Sequence, residues 1–337
     1  MPRLANSACH ITLVVPGLLW PQPAMYDLTR DLATPALCAL GGKGKLGSNT
    51  NNWLSTAFCL ADDPAAAPLR FLALGEAVVT KRMLCLDPIN FAFVERNVSV
   101  GDPNDLHLTA AEAQSLRDSL REIFAEIGEI RITTPHQWHL LIHDTAPALP
   151  LFSALPDFIG QRADQGLTTD PQWRKLLNEA QILLHAHPIN QARESRGQPR
   201  VNSLWPWGGG SLPSDANTRL GVVKSNNPIL QGLAKHCGIA VESPNETWQA
   251  TSPTNQLVVL DCLEQARGRA DGMRWRETLA QLDANWFAPI SRDLRNGSIA
   301  KLKIIMPDAT VVRQIELTRY TMLKFWRGSL PLSSLVT

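Results

Sequence analysis

The sequence predicts an α/β protein built on a largely parallel sheet flanked by helices. Three observations lead there. Beyond residue 219, short β-branched runs alternate with amphipathic helical stretches, the pattern that pairs strands in parallel. The chain opens with a buried-type strand, Ile11 to Val15, closed by Pro16-Gly17. With 337 residues, 44% of them hydrophobic, it is long and apolar enough to bury a large core.

Each element has a local reason. Asp27 to Leu40 carries helical spacing and stops at Gly41-Gly42. Pro and Ala dominate 62–68, which reads as a linker, and Met83 to Leu86 and Phe91 to Val94 read as strands. Thr109-Ala110-Ala111-Glu112 is a capping box. Leu116, Leu120, Ile123, Phe124 and Ile127 follow it at helical spacing, as far as Gly128. Gln137 to His143 alternates Trp138, Leu140 and Ile142 against His139, Leu141 and His143, a strand signature. Asp170-Pro171 starts a helix with Trp173, Leu176, Leu177, Ala180, Leu183 and Leu184 on its buried stripe, ended by Pro188. Val201 to Trp205 reads as a strand whose end opens into the Gly208-Gly209-Gly210 loop. Arg219 to Val223, Ile239 to Val241, Leu257 to Leu260, Lys301 to Met306 and Val311 to Leu317 read as later strands. Pro228 to Cys237 and Asp271 to Trp286 read as helices between them.

Charge and cysteine usage narrow the function classes. Net charge is +1, so no global field favours nucleic acid or an anionic membrane. No apolar run reaches the ~18 residues of a membrane span. Six cysteines are scattered without a C-x-x-C pair, as in reduced thiols of the cytoplasm.

Chemistry-bearing residues concentrate in His187-Pro188-Ile189-Asn190, Arg193, Gly197 and Asn202 to Gly210. Three successive glycines lose much conformational entropy on folding, so they imply positive φ or a close approach to bare backbone. A ligand crevice and a tight turn wedged between core tryptophans both satisfy that. Gly42 to Gly47 satisfies G-x-G-x-x-G but follows a helical pattern, so a basic turn is the better reading. His139 and His143 share a strand face but lie about 13 Å apart by strand rise, too far for one ion. His185 and His187 splay at a helix end. Asp87, Asp261, Glu264 and Asp308 have no neighbouring histidine and read as solvated or capping acids.

The central block, His187-Pro-Ile-Asn with Arg193, Gly197, Asn202 and Trp205-x-Trp207-Gly208-x-Gly210, resembles that of archaeal-type cofactor-independent phosphoglycerate mutases, members of the alkaline phosphatase superfamily. Thr34-Pro35-Ala36-Leu37 with Leu40 and Gly42, Val222-Val223 through Gly232, and Pro307-Asp308-Ala309-Thr310 are similar to further family segments. Leu18-Leu19-Trp20-Pro21 together with Asn202 to Gly210 resembles a proteobacterial group described either as RpfE-type regulatory proteins or as phosphoglycerate mutases. The resemblance implies an alkaline-phosphatase-like central sheet formed by 1–61 and 196–337, with an inserted α+β segment at 69–195. It also implies two divalent metals that activate a Ser or Thr to carry the phosphoryl group.

Departures from the family pattern shape the functional expectation. Pro16 stands where the first ligand Asp belongs, Ala309 replaces the His after Asp308, and Glu264 to Gly268 lacks its His. No histidine follows residue 236. A serine without metals keeps a high pKa and lacks oxyanion stabilisation. The expectation is therefore a catalytically degenerate, cofactor-free binding or regulatory protein. Its crevice would combine His187, Asn190, Arg193, Asn202, Trp205, Trp207, Gly208, Gly209 and Gly210, with Arg193 holding a small phosphorylated or carboxylate ligand. The alternative is an active mutase or phosphatase using Ser48 and Asp308 with a divalent metal.

Overall fold

The computed structural model describes residues 9–49, 52–78, 82–94, 97–249, 254–308 and 312–336. Among the described residues, thirteen strands run in chain order: β1 (His10–Val14), β2 (Lys45–Asn49), β3 (Met83–Ile89), β4 (Phe91–Val94), β5 (Asn97–Val100), β6 (Gly128–Thr134), β7 (Gln137–Ile142), β8 (Ser203–Gly210), β9 (Val222–Lys224), β10 (Ala240–Glu242), β11 (Gln256–Val259), β12 (Lys301–Pro307) and β13 (Val312–Thr318). The chain divides into two compact units, 1–63 with 215–337, and 64–214.

The first unit holds a seven-stranded sheet in the order β10-β9-β11-β1-β12-β13-β2. The run from β10 to β12 is parallel, and β13 and β2 close the edge antiparallel to their neighbours. Ile11, Leu13, Val14 and Val15 are essentially inaccessible, as expected of a central strand covered on both faces. Trp275, Leu279, Leu282 and Trp286, the stripe expected on one helix, pack into the same core.

Two departures from the sequence reading have clear causes. The helix expected over Asp27 to Leu40 is two helices, Ala24–Thr29 and Pro35–Lys43, because Pro35 cannot donate a backbone hydrogen bond and disfavours helical backbone before it. The helix expected to run to Trp286 stops at Leu282 and passes into a π-turn, Asp283–Phe287. The buried Asp283 carboxylate turns there to accept from the Leu37 (2.7 Å) and Ala36 (3.1 Å) amides at a helix start. The basic turn expected at 42–47 overlaps β2, which the sequence reading missed, as it missed β6.

The second unit is an antiparallel sheet in the order β6-β7-β3-β8, with a separate β4–β5 hairpin. Helices Ala110–Phe124 and Pro171–Ala186 start at the predicted caps, Thr109 with Glu112 and Asp170. Their stripes pack with Leu84, Leu86, Trp138 and Leu140 from one face of the sheet. Because β8 pairs with β3, the boundary lies at 214/215 rather than at 195/196. The supposed linker at 62–68 also runs into a helix, Ala66–Ala73.

The glycine triplet belongs to β8 rather than to a loop after it. Met83 pairs with Gly210 and Cys85 with Trp207, so β8 carries one extra residue, a β-bulge with Gly208 at φ +61°. A Cβ on Gly208 would lie 2.6 Å from the Ala66 side chain, and one on Gly210 would lie 2.6 Å from that of Ala65. A close-packed helix start explains these glycines without a ligand.

Candidate functional site

Parallel sheets gather functional groups at the carboxyl ends of their strands. In the seven-stranded sheet those ends bring up Pro16-Gly17 after β1, Ser225-Asn226 after β9, Asp261-Cys262 after β11 and Asp308 after β12.

The middle of this edge is filled by protein. Gly17 takes φ +74°, and a Cβ there would meet the Glu264 backbone at 2.8 Å. Its carbonyl accepts from Trp275 Nε1 at 2.8 Å. The helix Glu264–Gly268 thus seals the loop where the resemblance places a metal-binding aspartate, and Pro16 supplies no side-chain donor. Asp308 accepts from the Arg267 guanidinium at 2.7 Å, with both side chains partly exposed. Ala309 and Thr310 lie outside the described residues. Among the described residues, no three His, Cys, Asp or Glu side chains gather as a metal site. The residues at this edge do not fit a two-metal centre.

Ser48 is exposed on β2, an edge strand of the sheet. Ser48 pairs with Arg313, which pairs with Met306, so β13 separates it from the strand carrying Asp308. Two strand spacings put Ser48 about 10 Å from β12. The structure therefore does not bring Ser48 and Asp308 together as a nucleophile and its partner.

Beside β11 the edge opens into a cleft of about 410 Å³. The carboxamide residues Asn226, Asn245, Gln281 and Asn285 and the acids Glu246 and Asp261 line it, together with the buried apolar residues Leu260 and Trp286. Two bonds tie its loop wall to its helix wall: the Trp248 amide donates to the Asn285 carbonyl at 2.8 Å, and Trp286 Nε1 donates to the Glu246 carbonyl at 3.2 Å. Burial, reinforced by Asp261, pushes the Cys262 thiol above its ordinary range, so this sulfur is a poor nucleophile at neutral pH. Sequence reasoning missed the cleft. Asp261 was legible only as an acid near a strand end, and the amides sit on three separated segments with no common motif.

The residues singled out by sequence lie in the other unit, and most are consumed by structure. Arg193 is fully buried. Its guanidinium donates to Glu112 Oε2 at 3.0 Å, to the Pro199 carbonyl at 2.9 Å and to the Leu106 carbonyl. Burial raises the Glu112 pKa, but bonds from Thr109 and the charge of Arg193 more than reverse this and leave it below the ordinary range. Asn190, also fully buried, donates to the Leu184 and Val201 carbonyls and accepts from the Val201 amide. His187 caps the helix Pro188–Ser195, its Nδ1 accepting from the Ile189 amide at 3.2 Å, and burial lowers its pKa. Asn202 brackets the Phe91 backbone, Trp205 Nε1 donates to the Ser153 carbonyl, and Trp207 Nε1 donates to Asp87. These contacts hold loops together and leave Arg193 buried, away from any anion in solvent.

Asp87 belongs to a second buried network. Arg70 pairs with it bidentately at 2.7 Å on both oxygens, and Arg70 Nε donates to His139 Nε2 at 3.1 Å. Since Arg70 can only donate, His139 Nε2 accepts, and its proton resides on Nδ1, 3.3 Å from Thr133 Oγ1. Burial, with the Arg70 charge adding to it, pushes the His139 pKa down to about 2.

No family model matches the chain. Its sequence is 24% identical over 233 residues to the 2,3-bisphosphoglycerate-independent phosphoglycerate mutase of Methanosarcina barkeri (strain Fusaro / DSM 804), covering 62% of this chain and 57% of that protein. The alignment thus spans little more than half of that relative. The structure superposes on the cofactor-independent phosphoglycerate mutase from Thermoplasma acidophilum DSM 1728 with a TM-score of 0.52 at 18% identity, over 97% of this chain and 94% of that one. It matches the PH0037 protein from Pyrococcus horikoshii with a TM-score of 0.54 at 13% identity, over 92% and 87% of the two chains. The fold is that of the cofactor-independent phosphoglycerate mutases. Among the described residues of this phosphoglycerate-mutase-like chain, no helix is long and apolar enough to cross a membrane.

Proposed function

We propose that this phosphoglycerate-mutase-like protein is a metal-free binding protein in a regulatory role, and that its ligand seat lies at the carboxyl edge of the seven-stranded sheet. The Arg267–Asp308 ion pair carries this reading. A guanidinium 2.7 Å from Asp308 supplies the positive charge that the resemblance assigns to a metal ion there. Pro16 offers no side-chain donor, the helix Glu264–Gly268 packs against Gly17, and among the described residues no three His, Cys, Asp or Glu side chains gather as a metal site. The cytoplasmic setting expected from the cysteines belongs to the same proposal.

The test is metal analysis of the purified protein after loading with Mn²⁺ or Zn²⁺, paired with turnover of 3-phosphoglycerate and p-nitrophenyl phosphate. The expected outcome is substoichiometric metal and no turnover, in the parent and in Ser48→Ala alike. Stoichiometric metal with activity that disappears in Ser48→Ala would establish the alternative, an active mutase or phosphatase.

A further inference from the structure

We propose that the cleft at the carboxyl ends of β9 and β11 binds a hydroxyl-rich, non-anionic small molecule such as a sugar or cyclic polyol. This rests on the reading of the chain as a binding protein and narrows its ligand.

The chemistry of the lining selects the class. Asn226, Asn245, Gln281 and Asn285 each offer a donor and an acceptor on one side chain, the same duality a hydroxyl has. Among the described residues, none of these four carboxamides has a side-chain hydrogen-bond partner. Isolated surface amides are ordinary, whereas four converging on one concavity of about 410 Å³ form a recognition surface of small-molecule size. Glu246 and Asp261 add carboxylates, whose paired oxygens suit adjacent hydroxyl donors. Leu260 and Trp286 supply apolar backing for ring C–H groups.

Electrostatics excludes the competing class. Among the described residues no Lys, Arg or His lines the cleft, so a phosphate or carboxylate there meets two acidic residues and none of these cations. Lys224, two residues before Asn226, is committed to Glu242 at 3.1 Å and is buried. The anionic ligand expected from the sequence depended on Arg193, which is buried in the other unit.

The site is also preformed. The bonds from Trp248 to the Asn285 carbonyl and from Trp286 to the Glu246 carbonyl clamp the loop to the helix. The π-turn at Asp283–Phe287 breaks the helical register at this wall, where Asn285 lies, and is itself anchored through Asp283. Single π-turns within helices are frequent at functional sites. Fixed walls lower the ordering cost of binding.

The experiment is calorimetric titration of the full chain with glucose, glucosamine, myo-inositol and glucose 6-phosphate. At least one uncharged or amine-bearing compound is expected to bind about 10-fold or more tightly than glucose 6-phosphate, the scale of one unfavourable charge contact. Asn285→Ala and Gln281→Ala, both at exposed positions, are expected to weaken that binding about 5–10-fold while leaving thermal unfolding unchanged. Asp261→Asn is expected to narrow the gap to glucose 6-phosphate. Tighter binding of the phosphate, no heat from any of the three non-anionic compounds at millimolar concentration, or binding indifferent to the cleft variants overturns the assignment. Metal uptake with phosphoglycerate turnover overturns the metal-free reading instead, and leaves the sugar-over-phosphate order as a separate result.

Discussion

The two units treat polar side chains in opposite ways. In the inserted unit, Arg70, Asp87, His139, Asn190 and Arg193 are all but inaccessible, and each is matched to protein partners. At the carboxyl edge of the seven-stranded sheet, Asn226, Asn245, Gln281 and Asn285 are exposed and converge on a concavity without such partners. Residue types that suggest chemistry in a sequence are thus structural in one unit, and plain amides form the opening in the other. A buried charge must be paired to be tolerated at all, so its presence speaks first of packing.

Substitution should break this contrast most sharply at Asp87. Asp87→Ala leaves the Arg70 guanidinium buried and unpaired and also removes the acceptor of Trp207 Nε1. A loss of about 3–5 kcal/mol is expected in urea denaturation followed through the inserted unit. Arg193→Met comes next, stranding the carbonyls of Leu106 and Pro199 and leaving Glu112 with only Arg196 and Thr109, at a cost of about 2–3 kcal/mol. If Arg193→Met instead left stability intact and abolished binding of a phosphorylated compound, the contrast would invert.

His139 sharpens the comparison through pH. Its folded pKa, down at about 2, lies well below the ~6.5 of an unfolded histidine. Below pH ~6.5 the unfolded chain takes up a proton that the folded chain refuses, so acid favours unfolding, by up to ~1.4 kcal/mol per pH unit. Hydrogen-exchange protection of β3 and β7 should therefore fall between pH 7 and pH 5, and His139→Gln should flatten that slope. Smallest are the edge substitutions. Asn285→Ala and Ser48→Ala, both exposed, should shift stability by less than about 0.5 kcal/mol. Only the first should alter ligand binding.

Much of the fold was legible along the chain. The apolar run at Ile11 to Val15, the capping box at Thr109, the stripe from Trp173 to Leu184 and the alternation across Trp138 to Ile142 all report local periodicity, and each element formed there. β2 was hidden because Lys45–Asn49 lacks a continuous apolar face and gains its strand character from a partner, whereas β6 alternates Ile130 and Ile132 against Glu129 and Arg131, a short signal lost beside the Gly128 helix stop. The candidate site was less legible still, since its amides come from three separated segments.

By itself, the sequence determined where strands and helices begin, through spacing, caps and prolines, because those preferences act between near neighbours. It also determined that Pro16 and Ala309 offer no side-chain donor to a metal. Tertiary structure alone decided that Arg193 and His187 serve as braces and that the opening lies beside β11. Whether a polar group meets protein or solvent depends on chain segments far away in sequence, and desolvation assigns its role only once they have closed around it.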